Sequence, residues 1–191
     1  MRKSLLCVLS VLSVFAGIAL GGGFEYKTKV EHEGCNVTPS QAYEMVQKDP
    51  KHTFIVDVRT RAEYQLTGHP KGAYNIPYEF WNGRLGEKKY GMTVNSDFEK
   101  NLPGKFNPSA DKLIFMCRSG KRSCLACIAA IRAGWAPKNL CNMLGGFEGD
   151  KIKDENSMYS GQRKLGGWRN EGLPWTYHID KKLVYSADLS Q

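Results

Sequence analysis

The stretch Cys117-Arg118-Ser119-Gly120-Lys121-Arg122-Ser123 constrains this chain more than any other. An apolar run, residues 113–116, leads into it, and a segment of helical character, residues 123–132, leads out. The pattern predicts a buried strand, a short cationic turn containing glycine, and a helix that opens on the turn. Helix N-termini present unpaired backbone N–H groups and the positive end of a dipole, so such a turn suits an anion. Positive charge beside a cysteine favours its thiolate, and Arg118, Lys121 and Arg122 place that charge beside Cys117. Cys117 is the expected nucleophile.

Around this turn, short apolar runs alternate with helical segments. Thr38 reads as a helix cap with Pro39 at the first position, Ala42, Met45 and Val46 as the apolar stripe, and Asp49-Pro50 as the stop. Asn36-Val37-Thr38 also matches a glycosylation acceptor, a triplet common by chance and meaningful only in a eukaryotic secretory pathway. Residues 53–58, apolar and rich in β-branched side chains, predict a strand buried on both faces of a parallel sheet. Asp57 and Arg59 stand at its C-terminal end, where ligands bind in open α/β sheets. Asp57 is read as a wall-building carboxylate that accepts loop N–H bonds.

Further along, residues 61–64 suit a helical turn, residues 81–94 a hairpin or an ordered loop, and Ser96 caps a helix running to Leu102. The helix after the cysteine turn is apolar nearly all round and should be enclosed. A third strand covers residues 140–144, and residues 150–164 form a polar surface excursion. Gly167-Trp168 and Leu173-Pro174-Trp175 then return aromatic bulk to the core. Strands alternating with helices predict an α/β sandwich of one domain.

Residues 1–21 carry a basic start, an apolar centre and small residues at Gly17, Ala19 and Gly21. They predict a cleavable export signal, and hence a periplasmic protein with no stable membrane insertion; an uncleaved anchor is the weaker alternative. Residues 22–37 are read as a polar leader, 38–178 as the domain with insertions near 81–94 and 150–164, and 179–191 as a tail. The net charge of +8 becomes +6 without Arg2 and Lys3, leaving 25 basic side chains against 19 acidic ones. This balance favours small anions as substrates. No run of basic residues interleaved with aromatics points to nucleic acid.

Five of the six cysteines lie beyond the signal, an odd number that leaves at least one thiol free in an oxidising compartment unless chains cross-link. Cys117 is the expected free thiol. Cys124 and Cys127 have redox-motif spacing, but they sit within an apolar helix, where cysteine behaves as a small hydrophobe. Cys141 is read as structural, and the partner of Cys35 stays open. His32, His52, His69 and His178 lack ligand-like spacing, so neither a metal nor a cofactor is expected.

These residues resemble the rhodanese (sulfurtransferase) family over residues 38–175. The resemblance rests on Ile55-Val56-Asp57-Val58-Arg59 with Glu63-Tyr64, and on Gly68-His69-Pro70-Lys71-Gly72-Ala73 before Ile76-Pro77. It rests equally on the cysteine turn, Leu144-Gly145-Gly146, and Gly167-Trp168 with Gly172-Leu173-Pro174. It implies a three-layer sandwich with a central parallel sheet and helices on both faces. It also implies that Cys117 takes a sulfane sulfur from an anionic donor such as thiosulfate, becomes a persulfide, and passes the sulfur to a thiol, a protein acceptor or cyanide. Residues 118–123 would bind substrate and persulfide, with Arg118 and Lys121 on the substrate charge and Asp57, Arg59 and Glu63 in support. Whether Arg122 meets substrate or holds the loop through a carboxylate is open. Related phosphatases and arsenate reductases place one more residue between cysteine and arginine than the four found here.

Overall fold

The computed structural model describes residues 24–87 and 89–185; the predicted signal at 1–21 lies outside them. In chain order the first elements are β1 (Cys35–Val37), α1 (Pro39–Lys48), β2 (Thr53–Asp57), α2 (Arg61–Leu66), β3 (His69–Pro70) and β4 (Tyr74–Asn75). The hairpin β5 (Glu79–Leu85) and β6 (Tyr90–Val94) follows, then α3 (Phe98–Asn101), β7 (Lys112–Met116), α4 (Lys121–Arg132) and β8 (Leu140–Met143). Short pieces complete the chain: β9 (Asp150–Lys151), β10 (Arg163–Leu165) and β11 (Trp175–Thr176).

The central sheet is parallel, with strand order β1-β8-β7-β2-β4. Because successive strand residues point to opposite faces, β2 and β7 divide their side chains between two cores. Val56, Leu113 and Phe115 pack with Ala126, Cys127 and Ala130 of α4 and Phe98 of α3 on one face. Ile55, Ile114 and Met116 pack with Ala42 of α1, Phe147 and Trp168 on the other. The result is a three-layer α/β sandwich. Among the described residues, no helix is long and apolar enough to cross a membrane.

Helix α1 starts where its cap dictates. Gln41 N–H donates to Thr38 Oγ1 at 3.2 Å, and Thr38 N–H donates to Gln41 Oε1 at 2.9 Å. This reciprocal box, with Pro39 at the first helical position, satisfies donors that would otherwise be orphaned. Thr60 and Glu63 build the same box at the start of α2. Two helix boundaries differ from the sequence reading. Helix α4 begins at Lys121 rather than Ser123, because Gly120 takes φ 105° and serves as N-cap directly after the turn. Helix α3 begins at Phe98 rather than behind a Ser96 cap, because Asn95 builds the turn: its Oδ1 accepts Asp97 N–H at 3.0 Å.

Segments on either side of the predicted domain also pair with the sheet. Part of the predicted polar leader belongs to the sheet: β1 pairs with β8, and Cys35 is disulfide-bonded to Cys141. Part of the predicted tail does too. Asn75 N–H donates to Leu183 O at 2.8 Å, Val184 bridges Asn75 in parallel, and Tyr185 is buried. Sheet pairing decides both edges, and polar composition conceals it. Residues 81–94 belong to an antiparallel hairpin whose pairing begins at Glu79, and residues 150–164 contain β9 and most of β10, which pair as a short antiparallel ribbon.

Candidate active site

Cys117 follows β7 at the C-terminal edge of the sheet and is 2 % exposed. Gly120 N–H donates to its Sγ at 3.2 Å, and Ser123 Oγ lies 3.5 Å from the same sulfur. The turn is shaped from behind by the segment after β8. Phe147 N–H donates to Cys117 O at 2.8 Å, and Glu148 N–H donates to Arg118 O at 3.0 Å. In a trans peptide, carbonyl and following N–H point opposite ways. Holding those two carbonyls outward therefore turns the Arg118 and Ser119 amides inward, toward the space above the sulfur. Gly146 permits this close approach, since a Cβ there would lie 2.3 Å from Cys117 O.

The predicted site residues divide into two groups. Arg118, Ser119 and Lys121 line a cleft of about 830 Å³ above Cys117, with Arg118 and Lys121 exposed to it. Arg122 lines the cleft as well, but its guanidinium is engaged: Nη1 donates to Glu63 Oε2 at 2.7 Å and Nη2 to Oε1 at 2.6 Å. Of the two roles left open in the sequence, the contact present is the one with a carboxylate. Burial alone would lower the Arg122 pKa, but the Glu63 hydrogen bonds raise it above the ordinary guanidinium value. Burial pushes Glu63 up, and Arg122 outweighs it, holding the carboxyl below the usual range.

Asp57 and Arg59 lie behind the wall, both fully buried. Arg59 Nε donates to Asp57 Oδ1 at 2.9 Å and Nη2 to Oδ2 at 2.6 Å. Arg59 Nη1 also donates to Thr67 Oγ1 at 2.7 Å and Nη2 to Gly68 O at 2.8 Å. Asp57 Oδ1 also accepts Arg59 N–H at 3.0 Å. With every strong contact internal, this pair fixes the loop after β2 and does not line the cleft above Cys117.

Several residues near the site lie in the segments read from the sequence as insertions, where none was singled out individually. Trp81, Leu85, Tyr90 and Met92 of the hairpin form the wall opposite the turn. Arg163 of β10 does not line the cleft: burial and the Arg118 charge hold its pKa below the ordinary value, and its Nη1 donates to Gly149 O at 2.7 Å. Asn142 did leave a trace, as an amide within an otherwise apolar strand, and it accepts from Ser123 Oγ at 2.6 Å. Cys124 and Cys127 are fully buried free thiols, and burial raises both pKa values. Cys124 donates to Gly120 O at 3.0 Å, so the pair serves core packing and the base of the turn. Among the described residues, no cluster of His, Cys, Asp and Glu could hold a metal ion.

Fold and site together define an α/β domain with one thiol set in a cationic cradle at a helix N-terminus. The chain belongs to the rhodanese-like domain family, whose family model matches residues 38–153. It is 32% identical over 145 residues to the Uncharacterized protein RC0915 of Rickettsia conorii, covering 74% of this chain and 97% of that one. It is 34% identical over 96 residues to Thiosulfate sulfurtransferase 16, chloroplastic, of Arabidopsis thaliana, covering 50% of this chain and 71% of that protein. Among solved structures, that of Rv0390 from M. tuberculosis matches with a TM-score of 0.60 at 32% identity, covering 76% of this chain and 98% of that one.

Proposed function

We propose that this chain is an exported sulfurtransferase that carries a sulfane sulfur on Cys117. The observation that supports it best is the short, closed cradle. Four residues separate Cys117 from Arg122, and both terminal nitrogens of Arg122 are committed to Glu63. A loop that grips a tetrahedral oxyanion needs its arginine free to reach the ligand. Here the arginine holds the loop instead, and inward amides surround a space suited to one transferable sulfur.

In the first half-reaction the Cys117 thiolate attacks the outer sulfur of thiosulfate. The sulfur–sulfur bond breaks, and sulfite leaves with the electron pair. The persulfide anion then sits among the backbone donors of the turn, with Arg118 and Lys121 offsetting charge at the mouth. An acceptor thiolate or cyanide attacks the terminal sulfur and regenerates Cys117 thiolate. Thiosulfate-treated protein should gain one sulfur on Cys117 by mass spectrometry. Equal sulfur transfer by wild type and Cys117→Ser would refute the assignment.

A larger acceptor, including a partner protein, is a second reading favoured by one observation. The cleft of about 830 Å³ is far roomier than thiosulfate needs, and its hairpin wall exposes Trp81 (52%), Leu85 (77%) and Tyr90 (60%). Comparing cyanide, a small thiol and a cysteine-containing polypeptide as acceptors separates the two readings. Export is supported by the Cys35–Cys141 disulfide, since such bonds persist in oxidising compartments. Fractionation of the native host with an antibody to the chain tests it, and a cytosolic location would refute it.

A further inference from the structure

Behind Cys117 runs a line of hydrogen bonds that the proposed chemistry does not use. Ser123 Oγ lies 3.5 Å from Cys117 Sγ and 2.6 Å from Asn142 Oδ1. Asn142 Nδ2 donates to Asn36 Oδ1 at 2.9 Å, and that oxygen lies 3.1 Å from His32 Nε2. Ser123 and Asn142 are fully buried, whereas Asn36 is exposed on the edge strand β1. The disulfide beside this line pins the strands in register, with Cys35 opposite Cys141 and Asn36 opposite Asn142.

A serine hydroxyl has one proton to give. With Asn142 Oδ1 at 2.6 Å and the sulfur at 3.5 Å, the shorter contact takes that proton, so the serine faces the sulfur with a lone pair. That order suits a protonated sulfur, whose S–H donates to Oγ. It fails a thiolate, which needs donors. A half-turn of the Asn142 amide reverses the order without moving the backbone. Nδ2–H then donates to Ser123 Oγ, and the Ser123 proton is released to the sulfur. Asn142 Oδ1 now faces Asn36, which turns its own amide to donate. His32 Nε2 can meet either end of the Asn36 amide by its choice of tautomer. Both orders leave every group from Asn36 to Ser123 satisfied, as a buried network requires.

We propose that Asn142 and Asn36 form a reversible amide pair that lets the Ser123 hydroxyl follow the charge on Cys117, donating to the thiolate and accepting from the thiol. They are positioning residues, since they act on the sulfur only through Ser123. The inference rests on Cys117 being the reactive thiol of the proposed function. It does not require any particular sulfur donor.

The test uses the exposed end, where substitution leaves the core intact. In Asn36→Asp the carboxylate can only accept, which locks Asn142 Nδ2 toward it and keeps the Ser123 proton away from the sulfur. In Asn36→Ala, solvent replaces the amide and can donate or accept, so reversal survives. Iodoacetamide alkylation of Cys117 at neutral pH, followed by peptide mass spectrometry, reads the thiolate directly. Asn36→Asp should react about tenfold more slowly than wild type, the effect of losing one hydrogen bond to a charged group. Asn36→Ala should stay within about twofold of wild type for the same reason.

A purely structural role for Asn36 predicts the opposite, with the truncated alanine variant the worse of the two. A through-space effect of the new carboxylate is separated by Ser123→Ala: in that background the Asn36→Asp effect should vanish. If alanine and aspartate variants are slowed equally, if neither is slowed, or if the aspartate effect persists without Ser123, the proposal is wrong. Thiosulfate loading is measured separately in each variant. Failure to load in wild type would refute the sulfurtransferase reading while leaving the alkylation result to decide the amide pair.

Discussion

Gly146→Ala tests whether the cradle depends on backbone packed directly against backbone. Gly146 has φ 59°, and a Cβ there would lie 2.3 Å from Cys117 O and 2.8 Å from both Arg118 C and Ser119 N. All three atoms are main chain, so no rotamer change relieves the clash. A left-handed non-glycine residue costs about 1–2 kcal/mol. Pushing the segment back also weakens the Phe147 and Glu148 bonds to the cradle carbonyls, each worth roughly 1 kcal/mol. The sum, about 3–4 kcal/mol, corresponds to a fall of roughly 10 °C in Tm for a chain of this size. Sulfur loading should slow at the same time, because the Arg118 and Ser119 amides swing away from the sulfur. Gly134→Ala is the control: its φ is 93°, but nothing lies within 4 Å of the added methyl. It carries the strain alone and should load at the wild-type rate. Calorimetry and a mass-spectrometric time course of thiosulfate loading give both readouts. A Gly146→Ala protein that melts within about 3 °C of wild type and loads normally would refute the reasoning.

Glu63→Gln should cost about 2–3 kcal/mol, below the usual range for breaking a buried pair because both side chains keep 13–16% exposure. A double-mutant cycle with Arg122→Gln should give a coupling of about 2 kcal/mol; a value near that of exposed pairs, about 0–1 kcal/mol, would count against a cradle closed by this pair. The pair also sets a pH dependence. The folded Glu63 pKa lies below its unfolded value, so its contribution is complete above about pH 4.3 and is lost as pH falls through the folded value. The Tm gap between wild type and Glu63→Gln should therefore be full at neutral pH and close in acid; a gap that persists in strong acid would exclude the pair as its source. Cys35→Ser should destabilise by about 3–4 kcal/mol, since the disulfide closes a separation of 106 residues. Wild type melted in reductant should match that variant, and unchanged melting in both would show that the bond adds no stability.

Much of this architecture was legible because it is encoded by neighbours in sequence. The apolar run into Cys117, the glycine in the turn and the helix beyond it define a strand–turn–helix unit from local pattern alone. Thr38 with Pro39 marks a helix start for the same reason, since a cap and its target N–H lie three residues apart. Boundaries failed where a nearby side chain acted against the average pattern. Asn95 rather than Ser96 built the turn before α3, and Gly120 started α4 two residues early. The polar look of residues 22–37 hid β1, because an edge strand needs only one buried face and three residues to pair.

By itself, the sequence determined the parallel α/β framework and the four-residue spacing from Cys117 to Arg122, and it singled out Cys117 as the expected nucleophile. The tertiary structure decided the partners. Arg122 meets Glu63 across 59 positions, Cys35 meets Cys141 across 106, and Asn142 joins Asn36 to Ser123 behind the sulfur. The physical reason is range. Turn chemistry and helical periodicity act within a few residues of the chain, whereas these contacts depend on the strand order β1-β8-β7-β2-β4, which brings distant segments side by side.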